Sequence, residues 1–322
     1  MRAWATAGAR ARTGTLSGVR RLLAALLPAT KSATPPGLAP ADIDELARRW
    51  RFDVLAAAFP QRGDVEVLKR VAWYGSAIAG IFAADDPACP ARRNAQQCGA
   101  LFHVAVALFD TCSDTRDRAA AGLIEALEPR RLRARLRQPL GARLASADPR
   151  CDAVVALFDR VLEYAGLRFG GEPPVLDRLE ALLTRMYTSE VEAGAERRAA
   201  KVLPVSFICA MADGSLDPAR LQVHARFGAL LALLDDCQDL NDDRMRGRAN
   251  HFVCPHDARA LRAAHYLIMA LWFALLDTAT RSARIRRRLE TELRELLAAA
   301  GALEAPRRSA LIGLLQDLLG VH

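Results

Sequence analysis

Aromatic residues make up only 6% of this 322-residue chain, and 20 glycines and 16 prolines are too few for a collagen-like or low-complexity protein. Nor is there the alternation of β-branched and polar residues that is typical of strands. What remains is a chain that is 52% hydrophobic and rich in the helix formers Ala and Leu. We therefore expect an all-α protein: one large bundle of about eleven or twelve helices of roughly 12 to 28 residues.

Other missing features exclude whole classes of protein. The seven cysteines contain no C-x-x-C pair, which favours reduced thiols and a cytoplasmic location over a disulfide framework. No apolar run reaches the roughly 18 residues of a membrane-spanning helix, so no transmembrane segment is expected. The net charge of +8 suits nucleic acid, a membrane surface or an anionic small substrate. Because no nucleic-acid-binding module is recognisable, we expect no nucleic-acid partner.

Acidic residues are absent from the first 41 positions, which carry six positive charges. We interpret residues 1–41 as a basic, poorly ordered leader, with a twin-arginine signal or a transit peptide as alternatives. The segment 41–46 (ADIDEL) opens a helix with acidic residues in its first turn, where the helix dipole favours them. The predicted domain therefore spans residues 42–322. Within it, 85–93 is expected to be a polar connection.

A first acidic pair ends a nearly uncharged helical stretch that begins at His103. Asp110 and Asp114 are four residues apart, so a helix places them on one face about 6 Å apart along its axis. Two carboxylates at that spacing can share a hard cation. The alternative is an ordinary solvated helix end.

A second, denser cluster follows the apolar helical stripe that ends at Leu234. Asp235, Asp239 and Asp243 continue that stripe at four-residue spacing, and Asp236 adjoins it. Carboxylates stacked in this way repel one another by a few tenths of a kcal/mol per exposed pair. A positive partner should compensate, and the alternatives are a bound divalent metal or a local arginine. The local arginines are Arg244, Arg246 and Arg248.

Between the clusters, Lys201 comes directly before the apolar segment 202–213, which predicts a buried helix. An ammonium group at such a helix start could reach an anion at the mouth of the bundle. A surface lysine is the alternative.

The order of these motifs resembles the class I terpene synthase and trans-prenyltransferase superfamily. Its motifs are Asp-x-x-x-Asp, a lysine ahead of an apolar helix, and Asp-Asp-x-x-Asp-x-x-x-Asp-x-x-x-Gly-Arg from Asp235 to Arg248. The resemblance implies an isoprenoid synthase fold, which is a helical bundle around an apolar cavity. It also implies a prenyl diphosphate substrate and Mg²⁺, with three ions when the substrate is bound. Whether the protein is a homodimer stays open.

The resemblance further implies a role for each motif residue. Asp110, Asp114, Asp235 and Asp239 would be metal ligands that converge in the folded chain. Asp236 and Asp243 would support them, and Lys201 and Arg248 would contact the diphosphate.

Departures from the family pattern favour one subclass. The GGK…R segment and the Arg-Arg-Gly that serve a second diphosphate substrate are absent, and the first motif has Phe109-Asp110 where a doubled aspartate is usual. We therefore expect ionisation and cyclisation of a single allylic diphosphate. The alternatives are a prenyl diphosphate synthase or a head-to-head squalene- or phytoene-type enzyme. A helical scaffold protein that lost the activity is the non-enzyme alternative.

Overall fold

The computed structural model describes residues 37–60, 63–83, 89–115, 149–191 and 202–238, together with six positions between 295 and 311. Side chains are described within these ranges except at 113–115, 190–191, 230 and 233–238. Every regular element in the described ranges is a helix. The eight helices are α1 (Pro40–Arg49), α2 (Phe52–Ala58), α3 (Val65–Phe82), α4 (Pro90–Thr115), α5 (Pro149–Phe169), α6 (Pro173–Val191), α7 (Leu203–Asp213) and α8 (Pro218–Gln238).

The all-α prediction is confirmed for the described part of the chain, but the expected helix lengths are partly wrong. Three helices have only 10, 7 and 11 residues (α1, α2 and α7). The first break comes from Arg51, whose φ of 51° is left-handed and interrupts the helical ladder between α1 and α2. The chain therefore turns more often than the apolar periodicity suggests.

The connection expected at 85–93 is also too long, because α4 begins at Pro90. Proline fits the first turn of a helix, where its missing N–H would have no intrahelical partner. Arg93 is consequently helical, and its guanidinium pairs with Asp42 of α1. This ion pair joins the first helix to the start of α4.

Packing of the N-terminal segment begins before residue 42. Helix α1 starts at Pro40, and Leu38 is buried with its backbone N–H donating to Ser76 Oγ of α3 at 3.0 Å. Gly37 lies against the Trp73 ring, which leaves no room for a Cβ atom. The last residues of the predicted leader therefore contact the helical core.

Helices α3 and α4 form a close antiparallel pair. Gly75 and Gly99 face each other so tightly that a Cβ on either would collide with the backbone oxygen of the other. One turn away, the Nδ1 atom of His103 lies 3.1 Å from the carbonyl oxygen of Val71. Because higher numbers on α4 face lower numbers on α3, the C-terminal end of α4 lies beside the N-terminal end of α3.

Helix α7 runs antiparallel to α4 through the middle of the core. Phe207 stacks on Phe102 of α4 with ring centroids 4.3 Å apart. One turn later, the Met211 carbonyl accepts a hydrogen bond from Arg168 of α5 at 3.1 Å. Tyr164, one turn before Arg168 on α5, donates its hydroxyl to the carbonyl of Ala91 at the start of α4. The N-terminal end of α7 therefore points toward the C-terminal end of α4.

Helix α8 is antiparallel to α7. At the end of α7, Asp213 contacts Arg220 and His224 in the first two turns of α8. At the start of α7, the backbone of Val202 lies against Gly228. The C-terminal end of α8 therefore extends past the start of α7.

The described helices include no candidate for crossing a bilayer, since none combines sufficient length with a sufficiently apolar sequence.

Candidate functional site

Two helix ends that carry expected site residues, those of α4 and α8, lie at the same end of the bundle as the start of α7. The directions of α4, α7 and α8 place residues 110–115, residues 202–203 and residues 231–238 there. We call this the acidic end, and we call the opposite end, with Asp213, Arg220 and His224, the clamp end. Residues 110–115 and 231–238 are far apart in sequence, and the alternating helix directions return both stretches to the same end.

One face of α4 is open at the acidic end. Between Ala95 and Cys112 this helix is almost entirely buried, because α3, α5 and α7 surround it. His103, Val106 and Asp110 are only half-buried, and their spacing of three and four residues puts them on one side of the helix. We call these three residues the half-buried face. An otherwise buried helix therefore borders accessible space along a line that ends at a carboxylate.

The imidazole of His103 is strongly desolvated although the residue as a whole is only half-buried. Burial lowers the pKa of His103 to about 4, against a smaller opposing effect from the Val71 carbonyl. A surface histidine would keep its hydration, so protein must surround this ring on most sides.

Four aspartates of the expected magnesium site have described helical positions at the acidic end. Mg²⁺ takes oxygen ligands and is commonly bound through one or two carboxylates. Helix α4 supplies helical positions at Asp110 and Asp114, as the four-residue spacing requires, and α8 supplies Asp235 and Asp236 in its last turn. Among the described side chains, no group of three or more His, Cys, Asp or Glu residues could hold a metal ion. Of the expected ligands, only Asp110 belongs to that set of side chains.

The clamp end contains a buried polar cluster that was not predicted from the sequence. Asp213, the last residue of α7, forms an ion pair with Arg220, and its Oδ2 lies 3.2 Å from the Nε2 atom of His224. The Asp213 and His224 side chains are only 2% and 3% exposed. The His224 ring also meets Phe82 of α3 edge-on, with centroids 4.7 Å apart. This cluster joins α3, α7 and α8.

The chain reverses directly after this cluster, at Gly214. Its φ of 67° is left-handed, and its N–H donates to the carbonyl of Ala210, which closes the C-terminus of α7. A spacing signal was present in the sequence, because Asp213 is followed by a turn and then by Arg220 and His224 on one side of the next helix. The sequence places Asp213 at the end of the apolar segment 202–213 and assigns it no partner.

The described cysteines behave as structural residues. All five are free thiols, and four of them are buried. Burial raises the pKa of Cys98 to about 12, and burial together with the Asp213 charge raises the pKa of Cys209. Neither thiol is activated as a nucleophile, since the thiolate is the reactive form.

The expected site residues fall into three groups with respect to the described structure. Asp110 has a described side chain. Asp114, Asp235 and Asp236 have described helical positions only. Lys201, Asp239, Asp243 and Arg248 lie outside the described residues.

Comparisons of the chain with protein families, with curated proteins and with solved structures found no match.

Proposed function

We propose that the chain is a magnesium-dependent enzyme that ionises a single allylic prenyl diphosphate and cyclises the resulting cation, as a class I terpene synthase does. One observation carries the proposal. The C-terminal ends of α4 and α8, which hold the first acidic pair and the first two aspartates of the second motif, lie at the same end of the bundle as the N-terminal end of α7. The half-buried face of α4 runs along the helix from this end.

In this proposal the chain divides the work between its two acidic helix ends. Asp110 and Asp114 on α4, together with Asp235 and Asp239, would hold the magnesium ions. Bound Mg²⁺ supplies neutralisation of the leaving diphosphate. Asp236 and Asp243 would orient the ligands, and Lys201 and Arg248 would pair with diphosphate oxygens that the aspartates alone would repel.

The bundle interior would protect the reactive cation from water. Rings from three helices pack together beside the half-buried face: Phe102 contacts Phe207 of α7 and Phe158 of α5. These rings are fully buried and form an apolar interior, which offers no hydroxyl or amine to quench a carbocation. Excluding water prevents hydrolysis of reactive intermediates, and it strengthens the electrostatic interactions at the acidic end.

Turnover assays test the proposal directly. The purified full-length chain with Mg²⁺ is incubated with each of the C10, C15, C20 and C25 allylic diphosphates, and released diphosphate and organic products are measured. We expect release of diphosphate and a cyclic hydrocarbon or alcohol from at least one substrate. Asp110→Asn and Asp235→Asn should each lower turnover at least about a hundredfold, the scale for removing one preorganised charge interaction. Asp177→Asn, an exposed carboxylate on α6, is the matched control and should leave turnover unchanged.

Adding labelled isopentenyl diphosphate separates the related reactions. We expect no label in the product, because the motifs for a second diphosphate substrate are missing. A longer labelled chain would assign the protein to the prenyl diphosphate synthases. Joining of two identical allylic substrates would indicate the head-to-head type. If no substrate is consumed while the protein remains helical, the enzyme proposal is wrong and a scaffold role takes its place.

A further inference from the structure

The half-buried face contains a histidine to which the proposed mechanism gives no role. His103 makes one hydrogen bond, between its Nδ1 atom and the backbone carbonyl of Val71, and the described residues give the ring no second one. A carbonyl oxygen can only accept, so Nδ1 must carry the proton. The neutral ring then has its lone pair on Nε2.

His103 and His224 differ in the surroundings of their rings. Both ring nitrogens of His224 are sealed from solvent, whereas His103 is half-buried and no described residue hydrogen-bonds its Nε2 atom. His103 also shares the half-buried face with Val106 and Asp110. Nε2 is therefore the ring nitrogen that remains for a further contact.

The position of His103 along α4 suits a hydrocarbon better than a diphosphate. Seven residues separate it from Asp110, which is roughly 10 Å along the helix axis. A diphosphate held at the acidic end would place its prenyl chain, which is of similar length, beside Val106 and His103. At that distance from the acidic end, the Nε2 lone pair would lie beside carbon atoms of the prenyl chain.

We propose that His103 accepts the proton that ends the reaction, taking it through Nε2 from a carbon next to the cationic centre. This inference rests on the proposed function. The C–H bond breaks, its electron pair forms the new C=C bond, and the proton goes to Nε2 to give an imidazolium. The diphosphate released on ionisation then takes the proton, which restores the neutral ring. Even a weakly basic imidazole suffices, because a C–H bond beside a carbocation is extremely acidic.

Chemical modification tests the placement of Nε2 without any turnover. Diethyl pyrocarbonate acylates neutral imidazoles, and the modified peptides of the native full-length chain are identified by mass spectrometry. We expect His103 to react in the native protein and His224 to react only after denaturation. Protection of His103 to the same extent as His224 would overturn the proposal, since a sealed Nε2 cannot reach a substrate.

Product analysis tests the proton transfer itself. His103→Asn keeps an N–H donor for the Val71 carbonyl and removes Nε2, whereas His103→Phe removes both. With the allylic diphosphate that the native chain consumes, both variants should lower the ratio of olefin to water-derived alcohol at least tenfold. If His103→Asn does not fold, His103→Gln replaces it.

The possible failures are distinguishable. An unchanged olefin-to-alcohol ratio in His103→Asn overturns the proton-acceptor role and leaves the proposed function standing. A changed ratio in His103→Phe alone also overturns it, because the effect then follows the lost packing or the Val71 bond. If the native chain consumes no allylic diphosphate, the proposed function and the proton-acceptor role both fail.

Discussion

The two ends of the bundle differ in how deeply their polar side chains are buried. At the clamp end, Asp213 and His224 are almost completely buried and fix α7 against α8. At the acidic end, Asp110 is half-buried on a helix that is otherwise enclosed, and His103 is half-buried further along the same helix. At the clamp end the charged side chains pair with one another inside the protein. At the acidic end the last turns of α4 and α8 contain several aspartate positions.

This difference suggests a division between stability and chemistry. A buried ion pair is costly to break, because the remaining charge is left uncompensated in a medium of low polarity. Carboxylates gathered at one end destabilise the chain unless a cation joins them. We infer that the clamp end sets the directions of α7 and α8, and that these directions put the C-terminal ends of α4 and α8 at the same end of the bundle.

The largest effect on stability is expected at the clamp end. Asp213→Ala removes the carboxylate and leaves the Arg220 guanidinium, which is 16% exposed, without its charge partner. We expect a loss of about 3–5 kcal/mol in the free energy of unfolding, measured by urea denaturation. Asp53→Ala, at the exposed Arg51 pair, is the control and should change it by less than about 1 kcal/mol. Equal effects of the two substitutions would contradict the comparison.

The basic residues expected at the acidic end should affect turnover and leave stability unchanged. Lys201→Ala or Arg248→Ala should lower turnover by roughly ten- to a thousandfold, the scale on which one placed charge stabilises a developing anion. Arg244→Ala is the control, because on a helix Arg244 points about 100° away from Asp243. If Arg244→Ala abolishes turnover and Arg248→Ala is silent, the alignment of the second acidic motif is wrong.

Removal of the N-terminal segment sharpens the comparison further. A chain starting at Gly37 keeps Leu38 and its bond to Ser76, and it should retain both helical content and turnover. A chain starting at Ala41 loses them, and we expect it to be about 2–3 kcal/mol less stable in thermal or urea unfolding. Equal stability of the two truncated chains would show that the Leu38 contact contributes nothing.

The smallest effect expected is the pH dependence that His103 introduces. Because its pKa in the folded chain is about 4, below the usual 6.5, the unfolded chain binds a proton more readily between these values. The free energy of unfolding should therefore fall by about 1–3 kcal/mol as the pH drops from 6.5 to 4, and this contribution should stay constant below pH 4. The difference between the native chain and His103→Asn isolates it from the carboxylates. No pH dependence in that difference would show that the ring is well hydrated.

The sequence was most informative where a single local rule decides the structure. The apolar segment after Lys201 is helix α7, and Pro60 and Gly63 mark a turn in which the Gly63 N–H donates to the Pro60 carbonyl. The apolar periodicity of the sequence predicted the helices but not all of the residues at which they begin and end. Proline at the first turn extended α4 toward its N-terminus, and the left-handed Arg51 divided the region of α1 and α2.

These local sequence rules do not predict tertiary contacts. Asp213 carried no sign that it would be buried, because its partners lie in another helix, across a turn. His103 was visible as the start of the first acidic stretch, and its seven-residue spacing from Asp110 already put both on one helix face. Only the contact with Val71 assigns its tautomer.

Binding of inorganic diphosphate tests most directly the claim that both acidic motifs form one site. Titration calorimetry of the native chain, Asp110→Asn and Asp235→Asn is carried out with and without Mg²⁺, with Asp177→Asn as the control. We predict that the native chain and the control bind diphosphate only when Mg²⁺ is present, and that each of the other two substitutions weakens binding at least tenfold. Unchanged binding in either Asp110→Asn or Asp235→Asn would show that the two helix ends do not share a metal site.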